Sequence, residues 1–139
     1  PWEMRKIDLC VTGSVAVNAK GCKIGKGGGL ADLDYAICRE HGIISDETTI
    51  VTIAHPLQVV SHEVQVEKHD IPSDYIVTPE KIMETRGHYP KPQGIYWEDL
   101  REEYKNFPIM KRLKKRLGWL NTWESIFKID QYVSKESSV

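Results

Sequence analysis

Between residues 20 and 37 the chain reads KGCKIGKGGGLADLDYAI, five glycines and three lysines ahead of a segment with helical apolar spacing. The first turn of a helix carries amide donors without intrahelical partners and a partial positive charge, so an anion seated there meets both. Glycines let the preceding backbone fold closely over phosphate oxygens and turn its N–H groups inward. Lys23 and Lys26 would neutralise charge that amides alone do not. Asp32 and Asp34 oppose an anion at the same positive end, unless Mg²⁺ takes carboxylate and phosphate oxygens together. GKGGG has neither the G-x-x-x-x-G-K-[ST] spacing of a P-loop nor that of a dinucleotide fingerprint. Spacing alone therefore leaves two readings open: a phosphate cradle, or a structural loop whose acids cap a helix.

The elements that must position this loop read as an α/β order. IDLCVTGSVAV is rich in β-branched residues, its only polar break after Asp8 running from Thr12 to Ser14, and predicts one or two buried strands. NAKG at 18–21 is turn chemistry. Leu30, Leu33, Ala36 and Ile37 recur at helical spacing as far as His41, and Gly42 supplies the stop. TTIVTIA at 48–54 is a near-continuous β-branched run, as expected of a central strand covered on both faces, and Pro56 ends it. LQVV and EVQVE predict short edge strands, DYIVT a core strand, and PEKIMET a helix with Pro79 in its first turn.

After Arg86 the composition shifts, which sets a boundary between 1–86 and 87–139. GHYPKPQG is an extended connector, and IYWEDLREEY and FPIMKRLKKRLGWL predict two short amphipathic helices broken at Pro108 and packed on the first part. Ile109, Leu113, Leu117 and Leu120 form one stripe of the second; Lys111, Arg112, Lys114, Lys115 and Arg116 make a basic face, either solvated or a patch for RNA or an acidic partner. NTWESIFKIDQYV predicts a last helix capped by Asn121 or Thr122, followed by a frayed tail. Trp97, Trp119 and Trp123 read as core anchors of these helices.

With 139 residues, 40% hydrophobic and 28% charged, the balance fits one core. Nineteen basic against twenty acidic residues give a formal charge of -1, so no overall field favours nucleic acid or an anionic membrane. Cys10, Cys22 and Cys38, without C-x-x-C spacing, read as reduced buried thiols of a cytoplasmic protein. No apolar run approaches the ~20 residues that cross a bilayer. The chain starts at Pro1, which fits a removed initiator methionine or a longer polypeptide. His41 reads as a helix C-terminal cation, His62 and His88 as surface loop residues, and Asp74 as a cap at a strand entry. His69 beside Asp70 does not by itself set a coordination sphere.

GSVAVNAKGCKIGKGGGLADLDYAI resembles the 5-formyltetrahydrofolate cyclo-ligase (methenyltetrahydrofolate synthetase) family, whose pattern there is a G-x-A-F/V strand followed by R-x-G-x-G-x-G-Y-Y-D. It is most similar to the long-form, methenyltetrahydrofolate synthetase domain-containing branch, as are TIAHPLQVV, VEKHDIPSDYIVTP and KPQGIYW downstream; the likeness runs from about Ile7 to Trp97. The resemblance implies an open, mainly parallel sheet of the NagB/RpiA/CoA-transferase type, of which this chain would be the C-terminal part with a helical extension. It also implies an ATP- and Mg²⁺-dependent ligase of folate and one-carbon metabolism that converts 5-formyltetrahydrofolate to 5,10-methenyltetrahydrofolate.

Residue by residue, the resemblance makes Lys23, Ile24, Gly25, Lys26, Gly27, Gly28 and Gly29 the ATP phosphate loop, with Lys26 the catalytic cation on the moving phosphoryl group. Asp32 matches the acid closing Y-Y-D and Asp70 the acid of the downstream HD, the two expected Mg²⁺ ligands. Gly27, Gly28, Gly29 and Leu30 would lie beside the reduced folate, and His55 and Gln58, matching VTI-x-H-x-x-Q-V-V, would edge the crevice at the carboxyl end of a strand. Leu30 and Ala31 replace paired aromatics of the family pattern. The family's basic N-terminal segment has no counterpart before Pro1, so the chain reads as lacking that half of the site. The rival expectation is a non-catalytic nucleotide-binding or RNA-associated module that uses the 111–116 face.

Overall fold

A computed structural model of the chain describes residues 5–118. The chain divides into two compact units, Pro1–Tyr96 and Trp97–Val139. The first is a mixed α/β unit with mostly parallel strand pairing, the class expected from the order of elements. Strands β1 (Leu9–Gly13), β4 (Thr49–Ile53), β6 (Tyr75–Val77) and β7 (Ile82–Glu84) form one sheet in the order β1-β4-β6-β7. The first three of these are mutually parallel and β7 is antiparallel. Strands β2 (Ala16–Asn18), β3 (Lys23–Ile24) and β5 (Val59–Val60) form a second sheet in the order β3-β2-β5. Helix α1 (Leu30–Glu40) supplies the crossover that a parallel β1/β4 pair requires.

The core forms where α1 meets the inner face of the larger sheet. Tyr35, Ile44, Ile50 and Ile71 make one buried cluster, with Ile7, Cys10 and Cys38 packed against it. Val17, Ala54 and Ile76 make a second, bordered by Val59 and Met83. Burial pushes the Cys10 and Cys38 thiols above their ordinary range, so both stay protonated, and the three cysteines are free.

The structure corrects several sequence expectations. The β4 run is not covered on both faces: among the described residues Ile50 and Thr52 are fully buried, whereas Ile53 is 60% exposed beside Leu9 and Val11 at 55% and 57%. The register explains this, because Leu9, Val11 and Gly13 pair with Thr49, Val51 and Ile53 and share one face of the pleat. PEKIMET is the second arm of a hairpin rather than a helix. The Thr78 hydroxyl accepts from the amides of Glu80 and Lys81, and this local turn closes the β6/β7 ladder before a helix can start. EVQVE pairs with no strand, and only Val59–Val60 of LQVV does.

Of IYWEDLREEY only Glu102, Glu103 and Tyr104 are helical, in the four-residue α2 (Glu102–Lys105), and in the second unit residues 108–118 are helical as well. Pro108 opens that helix, where its missing N–H costs nothing. Its buried stripe is Met110 and Leu113, flanked by Leu117, whereas Ile109 is exposed. Lys111, Arg112, Lys114, Lys115 and Arg116 are all exposed. Leu120, Trp119, Trp123 and the expected last helix lie outside the described residues.

A buried ion pair fastens the connector after β7 to the amino-terminal ends of the strands. Asp74 Oδ2 accepts from the Ile50 amide at 2.7 Å and from Lys91 Nζ at 2.8 Å. The same ammonium donates to the carbonyls of Thr48 at 2.6 Å and Asp46 at 3.0 Å, so its three protons are all engaged. Nearby, Arg39 at the end of α1 donates to Asp46 Oδ1 at 2.8 Å and to Gln93 Oε1 at 2.9 Å. Glu40 Oε1 accepts from the Ile95 amide. Asp74 is thus a structural anchor at the entry to β6, as its sequence position implied.

Two predictions follow from these ties. Lys91→Met removes the closer of the two cations on the buried Asp74 carboxylate, leaving Arg86 Nε at 3.7 Å, and should cost ~3 kcal/mol by urea unfolding, while pairing it with Asp74→Asn, which keeps an acceptor for the Ile50 amide, should recover part of the loss. The Asp46 carboxyl is held below its ordinary value by Arg39 and Gln93. Its stabilising contribution is therefore complete above the unfolded pKa of ~3.9 and lost as pH falls through the lower folded value. Melting curves between pH 6 and about 2 should show a smaller acid-induced fall for Asp46→Asn than for the native chain.

Candidate functional site

The β2/β3 hairpin sets the first side chain of the site. Asn18 is buried, and its Oδ1 accepts from the amides of Lys20 at 3.0 Å and Cys22 at 3.1 Å, which bends NAKG into a tight turn. Gly21 completes it at φ 86°. A Cβ there would lie 2.5 Å from the Ser73 carbonyl oxygen, so the hairpin approaches the segment before β6 as closely as backbone allows. The turn places Lys23 in β3, opposite Val17. Lys23 Nζ donates to Thr12 Oγ1 at 3.1 Å. Burial lowers the pKa of this ammonium, while Asp32, Asp70 and Cys10 act in the opposite direction.

The glycine loop runs from Gly25 to Gly29, and α1 begins directly after it. Gly29 takes a left-handed conformation at φ 67°, its carbonyl accepts the Leu33 amide at 3.0 Å, and no side chain caps this helix start. Added Cβ atoms at Gly25, Gly27 and Gly29 would meet nothing within 4 Å, so the outer side of the loop is open. Ile24 and Leu30, at 46% and 52% exposure, flank it.

The two acids of the first helical stretch separate. Asp34 is exposed, whereas Asp32 turns inward and its Oδ1 accepts the Ile71 amide at 3.0 Å. Burial raises the Asp32 pKa; the Ile71 amide lowers it, Asp70 raises it, and Lys23 and His69 lower it. Asp70 closes its own turn, with Oδ2 accepting the Glu67 amide at 2.8 Å, while Oδ1 lies 3.7 Å from His69 Nε2. Asp32 and Asp70, remote in sequence, therefore stand in one electrostatic cluster with Lys23.

The other expected site residues have local settings of their own. Lys26 is exposed on the loop. His55 and Gln58 stand at the carboxyl end of β4 in a capping box: His55 Nδ1 accepts the Leu57 amide, and Gln58 Oε1 accepts the His55 amide at 2.7 Å. Gln58 Nε2 donates to the Ser14 carbonyl at 2.8 Å, which ties this corner to the β1/β2 loop.

Among the described residues no group of three or more His, Cys, Asp or Glu side chains could hold a metal ion. The Asp32/Asp70 pair fits a different mode of binding. Each carboxylate commits one oxygen to a backbone amide, and a hard cation such as Mg²⁺ uses one or two carboxylates and completes its shell with phosphate oxygens and water. Sequence reasoning missed Thr12, which showed only as a polar break in an apolar strand although it holds the Lys23 ammonium.

Most of the chain is similar in sequence to known proteins. Residues 2–79 match the model of the 5-formyltetrahydrofolate cyclo-ligase family. The chain is 48% identical over 112 residues to the methenyltetrahydrofolate synthase domain-containing protein of Homo sapiens, covering 79% of this chain and 29% of that protein. It is 43% identical over 111 residues to the protein of that name in Danio rerio, covering 78% and 29%, and 45% identical over 112 residues to that of Mus musculus, covering 79% and 30%. The chain thus spans under a third of the length of these relatives. With the family model matched across the glycine loop, Asp32 and Asp70, the chain belongs to the 5-formyltetrahydrofolate cyclo-ligase family.

Proposed function

We propose that this chain carries the Mg-nucleotide site of an ATP-dependent 5-formyltetrahydrofolate cyclo-ligase, on a fold of the NagB/RpiA/CoA-transferase type. The observation that supports the reading is the convergence of Lys23, Asp32 and Asp70 beside an open glycine loop. In the proposed reaction the formyl oxygen of 5-formyltetrahydrofolate attacks the γ-phosphorus of ATP and ADP departs. The N10 amine then attacks the activated formyl carbon and loses its proton to solvent, the carbon–oxygen bond to the phosphorylated oxygen breaks, and phosphate leaves with formation of 5,10-methenyltetrahydrofolate.

The chain's residues divide this work. The loop from Lys23 to Gly29 receives the phosphates, with backbone donors at the uncapped start of α1 beneath it. Lys26, free to swing on its exposed stem, reaches the moving phosphoryl group and stabilises charge there. Asp32 and Asp70 hold Mg²⁺, which when bound neutralises phosphate charge. Gly27, Gly28, Gly29 and Leu30 face the folate, and the His55/Gln58 corner edges the crevice. A second reading rests on the helix over 108–118, whose five exposed cations present a face suited to a polyanion such as RNA.

Calorimetry with Mg-ATP tests the loop directly: Lys26→Ala should weaken binding by ~1–3 kcal/mol, the range of one charge-assisted hydrogen bond. Unchanged affinity in a folded mutant returns the loop to a structural turn. Asp32→Asn retains an acceptor for the Ile71 amide but removes the anionic ligand. Thermal melts with ATP present should therefore lose their Mg²⁺-dependent rise in Tm in this mutant, and a rise equal to that of the native chain would place the metal elsewhere.

A further inference from the structure

A row of hydroxyls crosses the larger sheet and ends at the candidate site. Lys23 Nζ lies 3.1 Å from Thr12 Oγ1 on β1, which lies 3.1 Å from Thr52 Oγ1 on β4. Thr52 Oγ1 is 2.5 Å from Ser73 Oγ just before β6, and the Ser73 carbonyl accepts from Thr85 Oγ1 beyond β7. Thr52 and Ser73 are buried. An ammonium only donates, so Thr12 must accept from Lys23 and has a single proton to pass on. Two acceptors are within reach of that proton, Thr52 Oγ1 at 3.1 Å and the Val51 carbonyl at 3.4 Å. With either choice Thr12 remains the acceptor for Lys23, and its hydroxyl is held in place by Thr52, which is in turn bonded to Ser73.

We propose that Thr12 is a positioning residue, whose hydroxyl, oriented by Thr52 and Ser73, fixes the Lys23 ammonium beside Asp32 and Asp70 before any ligand arrives. Thr12 and Thr52 are register partners in the parallel β1/β4 ladder, so backbone pairing sets where the acceptor sits. Lysine carries a flexible stem, and holding its head in advance removes an ordering cost that ligand binding would otherwise bear. The charged or titratable groups facing the ammonium come from three elements: Cys10 on β1, Asp32 on α1, and Asp70 in the turn before β6. Thr12 adds a neutral acceptor on the remaining side. The effect on ligand affinity rests on the Mg-nucleotide reading above; the placement of Lys23 does not.

Lysine-selective NMR of the full chain in chelator tests the placement, and calorimetry with Mg-ATP tests its consequence. Thr12→Val keeps the β-branched shape but removes the acceptor; Thr12→Ser restores it. In Thr12→Val the Lys23 side-chain resonances should shift and their order parameters fall, and Mg-ATP affinity should drop about tenfold, the loss of one hydrogen bond to a charged group. Thr12→Ser should return both to native values. If Thr12→Val does not fold, Thr52→Val breaks the row one step away and should move the Lys23 signals in the same direction. Unmoved Lys23 signals in the folded valine variant overturn the positioning role, whatever the nucleotide does. Moved signals with unchanged Mg-ATP affinity, while Lys23→Ala loses it, overturn the link to binding alone. Absence of Mg-ATP binding by the native chain refutes the nucleotide reading, and the NMR arm still decides the placement.

Discussion

The parallel register of β1 against β4 is the constraint on which the rest of the first unit depends. It puts Cys10 beside Ile50 on the face that α1 covers, and Thr12 beside Thr52 on the same face nearer the carboxyl ends. A parallel pair cannot be closed by a tight turn, so the chain must travel back between the two strands. It does so through the β2/β3 hairpin, the glycine loop and α1, and this obligatory excursion carries Lys23, the open loop and Asp32. The same β4 strand continues into the His55/Gln58 corner and pairs β6, whose approach segment supplies Asp70 and Ser73. A one-residue slip of β1 would turn Thr12 away from Lys23 and expose Cys10 to solvent.

The proposed cation site rests on the electrostatics of the cluster. One ammonium and the His69 imidazole face two carboxylates, and burial works against the charged forms of both Lys23 and Asp32. The Ile71 and Glu67 amides each satisfy one carboxylate oxygen, but amides carry no net charge. A divalent ion reverses the sign of the site and makes it a partner for polyphosphate, which is the sense in which metal and nucleotide would bind together.

Local chemistry made part of this legible in the sequence. α1 was readable because its apolar spacing, the preceding glycines and the Gly42 stop agree, and the structure places it over Leu30–Glu40. The hairpin arm Ile82–Glu84 was misread because Pro79 suits both the first turn of a helix and a tight turn; the Thr78 hydroxyl decides between them, and it acts on amides only two and three residues away. The open face of β4 was illegible because an unbroken β-branched run reads alike whether one face or both are covered. Asp70 entered only through family resemblance, since no spacing rule brings it to Asp32. Which of Asp32 and Asp34 turns inward, and that Thr12 is the lysine's acceptor, are settled by contacts across the fold that no local pattern encodes.

The central claim is that Asp32 and Asp70 together form the metal end of a nucleotide site, and paramagnetic broadening tests it most directly. Mn²⁺ substitutes for Mg²⁺ on oxygen ligands and erases amide signals close to it. Titrated with ATP into the ¹⁵N-labelled chain, substoichiometric Mn²⁺ should remove the amides of Asp32, Asp70 and Ile71 first, then those of the glycine loop, and should do so far less without ATP. Broadening that begins elsewhere, or that spares Asp70 while erasing the loop, would contradict the account.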